Sequence, residues 1–181
     1  MPGEKPLRAD ARRNRDALLA AAAEAFAVHG STASLEDIAR SAGVGIGTLY
    51  RNFPTRQDLF DAVYLSEIDR LCRAAEDVAE LAPWQALSTW LRRFVRYAAT
   101  KRAIYEALSR DSAAFRDTRE RMYAAGEPLL ERAQKAGAAR VDVGFDDVLR
   151  LVSGITAAGF VDEEQRERVL AIALDGVRRQ G

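Results

Sequence analysis

The chain has 181 residues, 48% of them apolar and 30% charged, so it can bury a proper core as one domain or two small ones. Its 27 lysines and arginines balance 27 aspartates and glutamates, which excludes a generic polycation. One cysteine and one histidine exclude an intrachain disulfide and the usual zinc and di-iron sites, and neither a metal nor another cofactor is expected.

Residues 1–9 read as a disordered basic leader. Over residues 1–15, Lys5, Arg8, Arg12, Arg13 and Arg15 exceed Glu4 and Asp10 by three charges. Such an arm suits phosphate contact, with Arg12, Arg13 and Arg15 the best placed; a solvated tail is the plainer alternative. A first helix is expected from Asp10 to His29, burying Leu18, Leu19, Ala22, Ala25 and Phe26, with Gly30 as its stop. His29, at that helix end, suits the helix dipole better than catalysis.

Next comes the densest signal, SLEDIARSAGVGIGTLYRNFPTRQD, residues 34–58. Ser34 is a good N-cap, and Asp37 can return its hydrogen bond in a capping box. Leu35, Ile38 and Ala39 give a short helix its inner face. Gly43 supplies a turn in which a left-handed backbone is cheap only for glycine. Val44, Leu49 and Phe53 then mark a second short helix packed across the first. This is the helix-turn-helix layout, whose second helix enters the DNA major groove.

Gly45, Ile46, Gly47, Thr48, Tyr50 and Arg51 are left facing outward. Two glycines in one helix start cost about 0.8–1.0 kcal/mol each relative to alanine. A helix that presses its main chain against a base edge or phosphate has a reason to carry them. Ile46 and Thr48 suit a thymine methyl or a phosphate, Tyr50 a phosphate, and Arg51 a phosphate or guanine edge. Thr32 and Ser34 are further backbone candidates. Pro54 ends the helix, and Thr55 with Asp58 forms another capping box. Arg56 falls in the following first turn, where the dipole disfavours a cation; a bound phosphate would offset that.

This segment resembles the DNA-binding domain of the TetR family of bacterial transcriptional regulators. The matching residues are Ala22 to Gly30, Leu35 to Val44 and Gly47 to Leu59, within a similarity running from about Arg12 to Val63. The chain departs from the family pattern at Gly45, where serine or threonine is usual, at Arg51, often histidine, and at Arg56, often lysine.

A long helix from Thr55 to Leu81 should bury Leu59, Phe60, Val63, Tyr64, Ile68, Leu71, Cys72 and Val78. Pro83 opens a helix to Thr100, followed by a shorter one over Arg102–Ser109 and a longer one over Ala113–Ala136, kinked at Gly126 and Pro128. Residues 138–144 read as a loop. The expected organisation is a 10–54 head and a 55–181 regulatory and dimerisation domain, all-α throughout, since β-branched runs of period two are absent.

The aromatic and sulfur-bearing side chains Trp84, Trp90, Phe94, Tyr97, Tyr105, Phe115, Met122 and Tyr123 lie where the resemblance places an effector cavity, although aromatics at helical spacing are more often core. Arg92, Arg93, Arg96, Lys101 and Arg102 form a basic run, most simply a solvated face, otherwise one turned to an anionic ligand. The last two helices, Phe145–Phe160 and Glu163–Arg179, carry apolar residues over more than a one-sided stripe. Phe145, Val148, Leu149, Val152 and Ile155, with Val169, Leu170, Ala173, Leu174 and Val177, are candidates for a dimer interface, and Gly154, Ala157, Ala158 and Gly159 would allow close approach. A well-buried terminal hairpin in a monomer is the alternative. The resemblance implies a four-helix dimer contact.

It further implies a homodimeric repressor on a palindromic double-stranded operator, released when an unknown small-molecule effector tilts the helix beginning at Thr55. An effector-independent regulator or activator, and an all-α module without DNA binding, are the other readings. Asp146/Asp147 and Glu163/Glu164 look like helix starts, and no GxxxxGK[ST] or GxSxG element is present, so no enzyme is expected. No apolar run approaches ~18 residues and no signal-peptide pattern is seen, so a cytoplasmic protein without a membrane partner is expected.

Overall fold

A computed structural model describes residues 4–104, 117–158 and 160–179, without the side chains of residues 4–8, 99–100, 102–104 and 157. The fold is all-α: α1 (Glu4–His29), α2 (Leu35–Ser41), α3 (Ile46–Asn52), α4 (Arg56–Asp77), α5 (Pro83–Ile104), α6 (Thr118–Lys135), α7 (Phe145–Ala157) and α8 (Glu163–Val177). Among the described residues, the extended pairing is a single antiparallel bridge between Ala139 and Arg178.

Two expectations about helix ends are corrected. The leader is helical from Glu4, because Pro6 falls in the first turn, where its missing N–H has no helical partner to lose. α5 continues through Lys101 to Ile104, since no glycine or proline lies there to stop it. Tyr105 and Phe115, with most of the short helix expected after Thr100, lie outside the described residues.

The chain divides into two compact units, and the division falls inside α4 and α5. One comprises the described residues of Met1–Ser66 and Thr100–Phe115, the other those of Glu67–Ala99 and Arg116–Gly181. In the first, Leu18, Ala22 and Phe26 of α1 are buried with Ile38 and Ala39 of α2, Leu49 of α3, and Leu59, Phe60 and Val63 of α4. The Phe26 and Phe60 rings lie 4.6 Å apart. α4 starts as its sequence demands: Asp58 accepts from the Thr55 N–H and hydroxyl at 2.9 and 2.7 Å, and the Asp58 N–H donates back at 3.1 Å.

In the second unit, Leu87, Trp90 and Leu91 of α5 form a core with Leu130 and Ala133 of α6, Val148 and Val152 of α7, and Leu170 and Leu174 of α8. Trp90 donates its Nε1–H to the Leu71 carbonyl at 3.0 Å. Arg132 of α6 closes the α4–α5 turn by donating to the carbonyls of Ala79 (2.6 Å) and Leu81 (2.9 Å). α6 runs on through Gly126 and Pro128. Gly126 is required there: a Cβ would fall 2.4 Å from the Phe145 ring and 2.5 Å from Trp90. Pro128 is exposed, as is Ala124, whose carbonyl loses its helical donor and can turn to water.

Candidate nucleic-acid interface

The turn between α2 and α3 is set by its backbone. Gly43 has φ +70°, its N–H donates to the Arg40 carbonyl, and the Val44 N–H reaches the Ala39 carbonyl, both at 3.0 Å. That is the Schellman arrangement, which satisfies the orphan carbonyls of α2 and turns the chain sharply. Ser34 caps α2, its hydroxyl accepting from the Asp37 N–H at 3.2 Å. Asp37 does not return the bond as expected; its carboxylate pairs with Arg40 at 2.7 Å, one turn along.

α3 is anchored from below by Leu49 and Phe53, 0% and 2% exposed. Its opposite side is bare. Gly45, in extended conformation, is the N-cap, and no side chain caps the helix. A Cβ at Gly45 or at Gly47 would meet nothing within 4 Å. The first N–H groups of the helix therefore stand at an open surface, with the positive end of the helix dipole behind them. Ile46 and Tyr50 flank that surface, 36% and 46% exposed. Arg51 folds back along the helix, its Nε donating to the Gly47 carbonyl at 3.2 Å and its Nη2 to the Thr48 hydroxyl at 3.1 Å. The guanidinium is thus held beside the bare glycines.

The remaining candidates divide. Arg12, Arg13 and Arg15 are exposed on α1. Arg13 is ion-paired with Asp10, and the Arg15 guanidinium lies 4.8 Å from the Phe53 ring, next to the end of α3. Thr32 is exposed and gives its hydroxyl to the His29 carbonyl at 2.8 Å. Arg56 donates through Nη1 to the carbonyls of Ser31 (3.1 Å) and Ala33 (2.7 Å), in a half-buried position. It clamps the start of α4 to the α1–α2 connection through that one nitrogen.

The expected effector-site aromatics are packed together. Trp90 lies 5.9 Å from Phe94 and 5.8 Å from Phe145, Phe94 lies 5.8 Å from Tyr97, and Tyr123 meets Phe145 edge-on at 5.3 Å. Trp84 is half-buried beneath the Arg178 guanidinium, 5.7 Å away, and Met122 is half-buried. The Tyr123 hydroxyl donates to Asp146, which Arg119 and Arg150 also contact; these partners hold the Asp146 carboxyl below its ordinary range. A groove of about 370 Å³ runs along the second half of α4 and α5, and of the six described candidates Tyr97 alone lines it. Burial pushes the Cys72 thiol up. Among the described residues, no cluster of His, Cys, Asp and Glu could hold a metal ion, and no helix is long and apolar enough to cross a membrane.

Most of the dimer candidates are already covered within the single chain. Phe145, Val148, Leu149, Val152, Ile155, Leu170, Leu174 and Val177 are each no more than 8% exposed in the single chain, so they have almost no area left for a partner. α7 and α8 bury them against the chain's own core. Val169 and Ala173 keep some exposure. The apolar residues these helices do leave outside include Leu151 at 45% and Ile172 at 71%. Gly154 and Gly176 face open space beside them. The sequence signal for this second stripe was its spacing: Leu151 and Gly154 fall on one face of α7, and Val169, Ile172 and Gly176 on one face of α8.

Residues 18–63 match the tetR family of bacterial regulatory proteins, and residues 82–179 match the C-terminal domain of SbtR-like transcriptional regulators. The HTH-type transcriptional activator FasR of Mycolicibacterium smegmatis is 30% identical over 166 residues, 91% of this chain and 68% of that protein. The solved TetR transcriptional regulator SCO0520 of Streptomyces coelicolor is 41% identical, with a TM-score of 0.81 over 92% of this chain and 99% of that one. A TetR regulatory protein of Mycobacterium vanbaalenii is 34% identical, with a TM-score of 0.74 over 96% of this chain and all of that one.

Proposed function

Because this chain belongs to the TetR family and is a DNA-binding transcriptional regulator, we propose that it works as a homodimeric repressor on a palindromic operator, released by a small-molecule effector. The observation that carries the DNA contact is the open surface over Gly45 and Gly47, backed by the buried Leu49 and Phe53. Main-chain N–H groups of α3 approach the duplex there. Tyr50, Thr48 and Arg51 hold phosphates or base edges beside it, and Thr32, Ser34, Arg12, Arg13 and Arg15 lie along the flanks.

Two such heads reach adjacent major grooves only as a pair, with half-sites about one helical turn apart. The exposed stripes of α7 and α8 supply the self-complementary face that a two-fold dimer needs. α4 begins in the head and ends in the second unit, so an effector bound in that unit acts on the head through one continuous helix. Its shift spoils the spacing that both half-sites require.

Selection of bound fragments from random duplex DNA tests this reading. A palindromic consensus with half-site centres about 10 base pairs apart is the expected result, and recovery of no consensus, or of a lone half-site, refutes it. A second reading, activation in place of repression, is favoured by the similarity to FasR, which is an activator. A reporter placed behind the selected site separates the two by the sign of its response.

A further inference from the structure

The basic run on α5 does not form one face. Arg92 pairs with Glu167 of α8, and Lys101 lies 5.8 Å from the Tyr64 ring. Arg93 and Arg96 instead line the groove of about 370 Å³ beside the second half of α4. Arg70 and Arg73 meet them from α4. These two arginines have no counterpart in the sequence-level candidates, because only the pairing of α4 with α5 brings the four together.

The groove has the two components of a small-molecule site. Its floor is apolar, formed by Leu71 and Tyr97, both buried. Its walls carry four guanidiniums against two carboxylates, Glu67 and Asp77. Both carboxylates are already engaged, Glu67 with Arg70 at 3.0 Å and Asp77 with Arg93 at 2.9 Å. The volume lies within the range of ligand pockets, roughly 300–1,000 Å³. An arginine held through one nitrogen still offers donors from the rest of its planar fork, in the geometry that suits a carboxylate. A bare inorganic anion would satisfy the walls and leave the floor wet.

We infer that this groove binds a small organic carboxylate, its acid group held by Arg73 and Arg96 and its apolar body lying on Leu71 and Tyr97. The inference deepens the effector part of the proposed function, and it is tested without DNA so that either reading can fail alone.

The experiment is titration of the full-length protein at low salt, by calorimetry and by NMR, with three probes: benzoate, benzamide and inorganic phosphate. Benzamide keeps the ring without the charge, and phosphate keeps the charge without the ring. Saturable benzoate binding that weakens with added salt is expected, with benzamide and phosphate each at least tenfold weaker. Arg73→Gln with Arg96→Gln should weaken benzoate at least tenfold. Both side chains are exposed, so the thermal midpoint should not change. The inference is overturned if benzoate fails to saturate, if the double variant binds it like the parent, or if either control probe matches it. Should the double variant unfold, the parent decides: benzoate-induced shifts confined to the groove support the inference, and shifts centred elsewhere overturn it. Benzoate binding in a protein that selects no DNA would sink the regulator reading and leave this one standing.

Discussion

Gly47→Ala separates the two demands placed on α3. Gly47 sits in helical conformation outside the left-handed region, and the new Cβ would meet nothing within 4 Å. Inside the protein the change therefore costs no contact, and it recovers the difference in helix propensity, about 0.8–1.0 kcal/mol. For a protein of this size that corresponds to a rise of about 2–4 °C in the thermal midpoint. At the DNA the same methyl group occupies the space in which the backbone meets the duplex. Holding a phosphate about an ångström farther away breaks an N–H hydrogen bond to a charged acceptor, worth about 1.5–3 kcal/mol. That is roughly a ten- to hundredfold loss of affinity for each half-site. Thermal unfolding and electrophoretic mobility shift on the selected site read the two effects separately. A stabler variant that binds DNA as tightly as the parent refutes the argument that the bare main chain is the contact surface. A destabilised variant refutes the claim that the surface is open.

Gly126→Ala should do the reverse, since its Cβ collides with the Phe145 and Trp90 rings: a loss of about 1–3 kcal/mol in urea unfolding, with DNA affinity per folded molecule unchanged. Arg56→Ala should cost about 1–3 kcal/mol by leaving the Ser31 and Ala33 carbonyls without their donor, while the slope of DNA affinity against log salt stays that of the parent; a slope reduced by about one would restore Arg56 as a phosphate contact. Leu151→Glu with Ile172→Glu should give folded monomers in analytical ultracentrifugation and abolish operator binding, because both residues are exposed in the single chain; an intact dimer would place the interface elsewhere. Hydrogen bonds from Arg140 hold the Asp142 carboxyl down at about 2, below its unfolded value near 3.9. The stabilisation from this pair is therefore present above pH ~4 and lost as pH falls towards 2. Asp142→Asn should lose less stability than the parent over that window, measured by urea unfolding at pH 5 and pH 2.

How far the sequence reaches follows from the distance over which each signal acts. The head was legible because its instructions are local. Ser34 caps a helix three residues away, Gly43 turns the chain on its own φ, and Thr55 and Asp58 bond to each other. The clamp made by Arg56 was not legible for the complementary reason: its acceptors lie 23 and 25 residues back, and no spacing rule carries that information. The same holds for the groove, which needs α4 and α5 side by side before Arg70, Arg73, Arg93 and Arg96 become neighbours.

The last two helices show a different limit. Periodicity registers that a residue is apolar and on a given face, but not whose surface covers it. Phe145, Val148, Val152 and Ile155 follow the helical period and are covered by their own chain, while Leu151, offset by less than a turn from its buried neighbours, is left outside. The large residues of the arc are thus covered by their own chain, and Leu151 and Ile172 are left exposed. Bulk favours the core, because the largest apolar side chains remove the most area from water when buried. What stays exposed on these two helices and at their ends includes the small residues Gly154, Ala158 and Gly176, punctuated by Leu151, Val169 and Ile172. Small residues let helices approach closely, and a few exposed branched side chains supply the area. On this reasoning an interface between helices is better sought in the glycines and alanines of an amphipathic segment than in its aromatics.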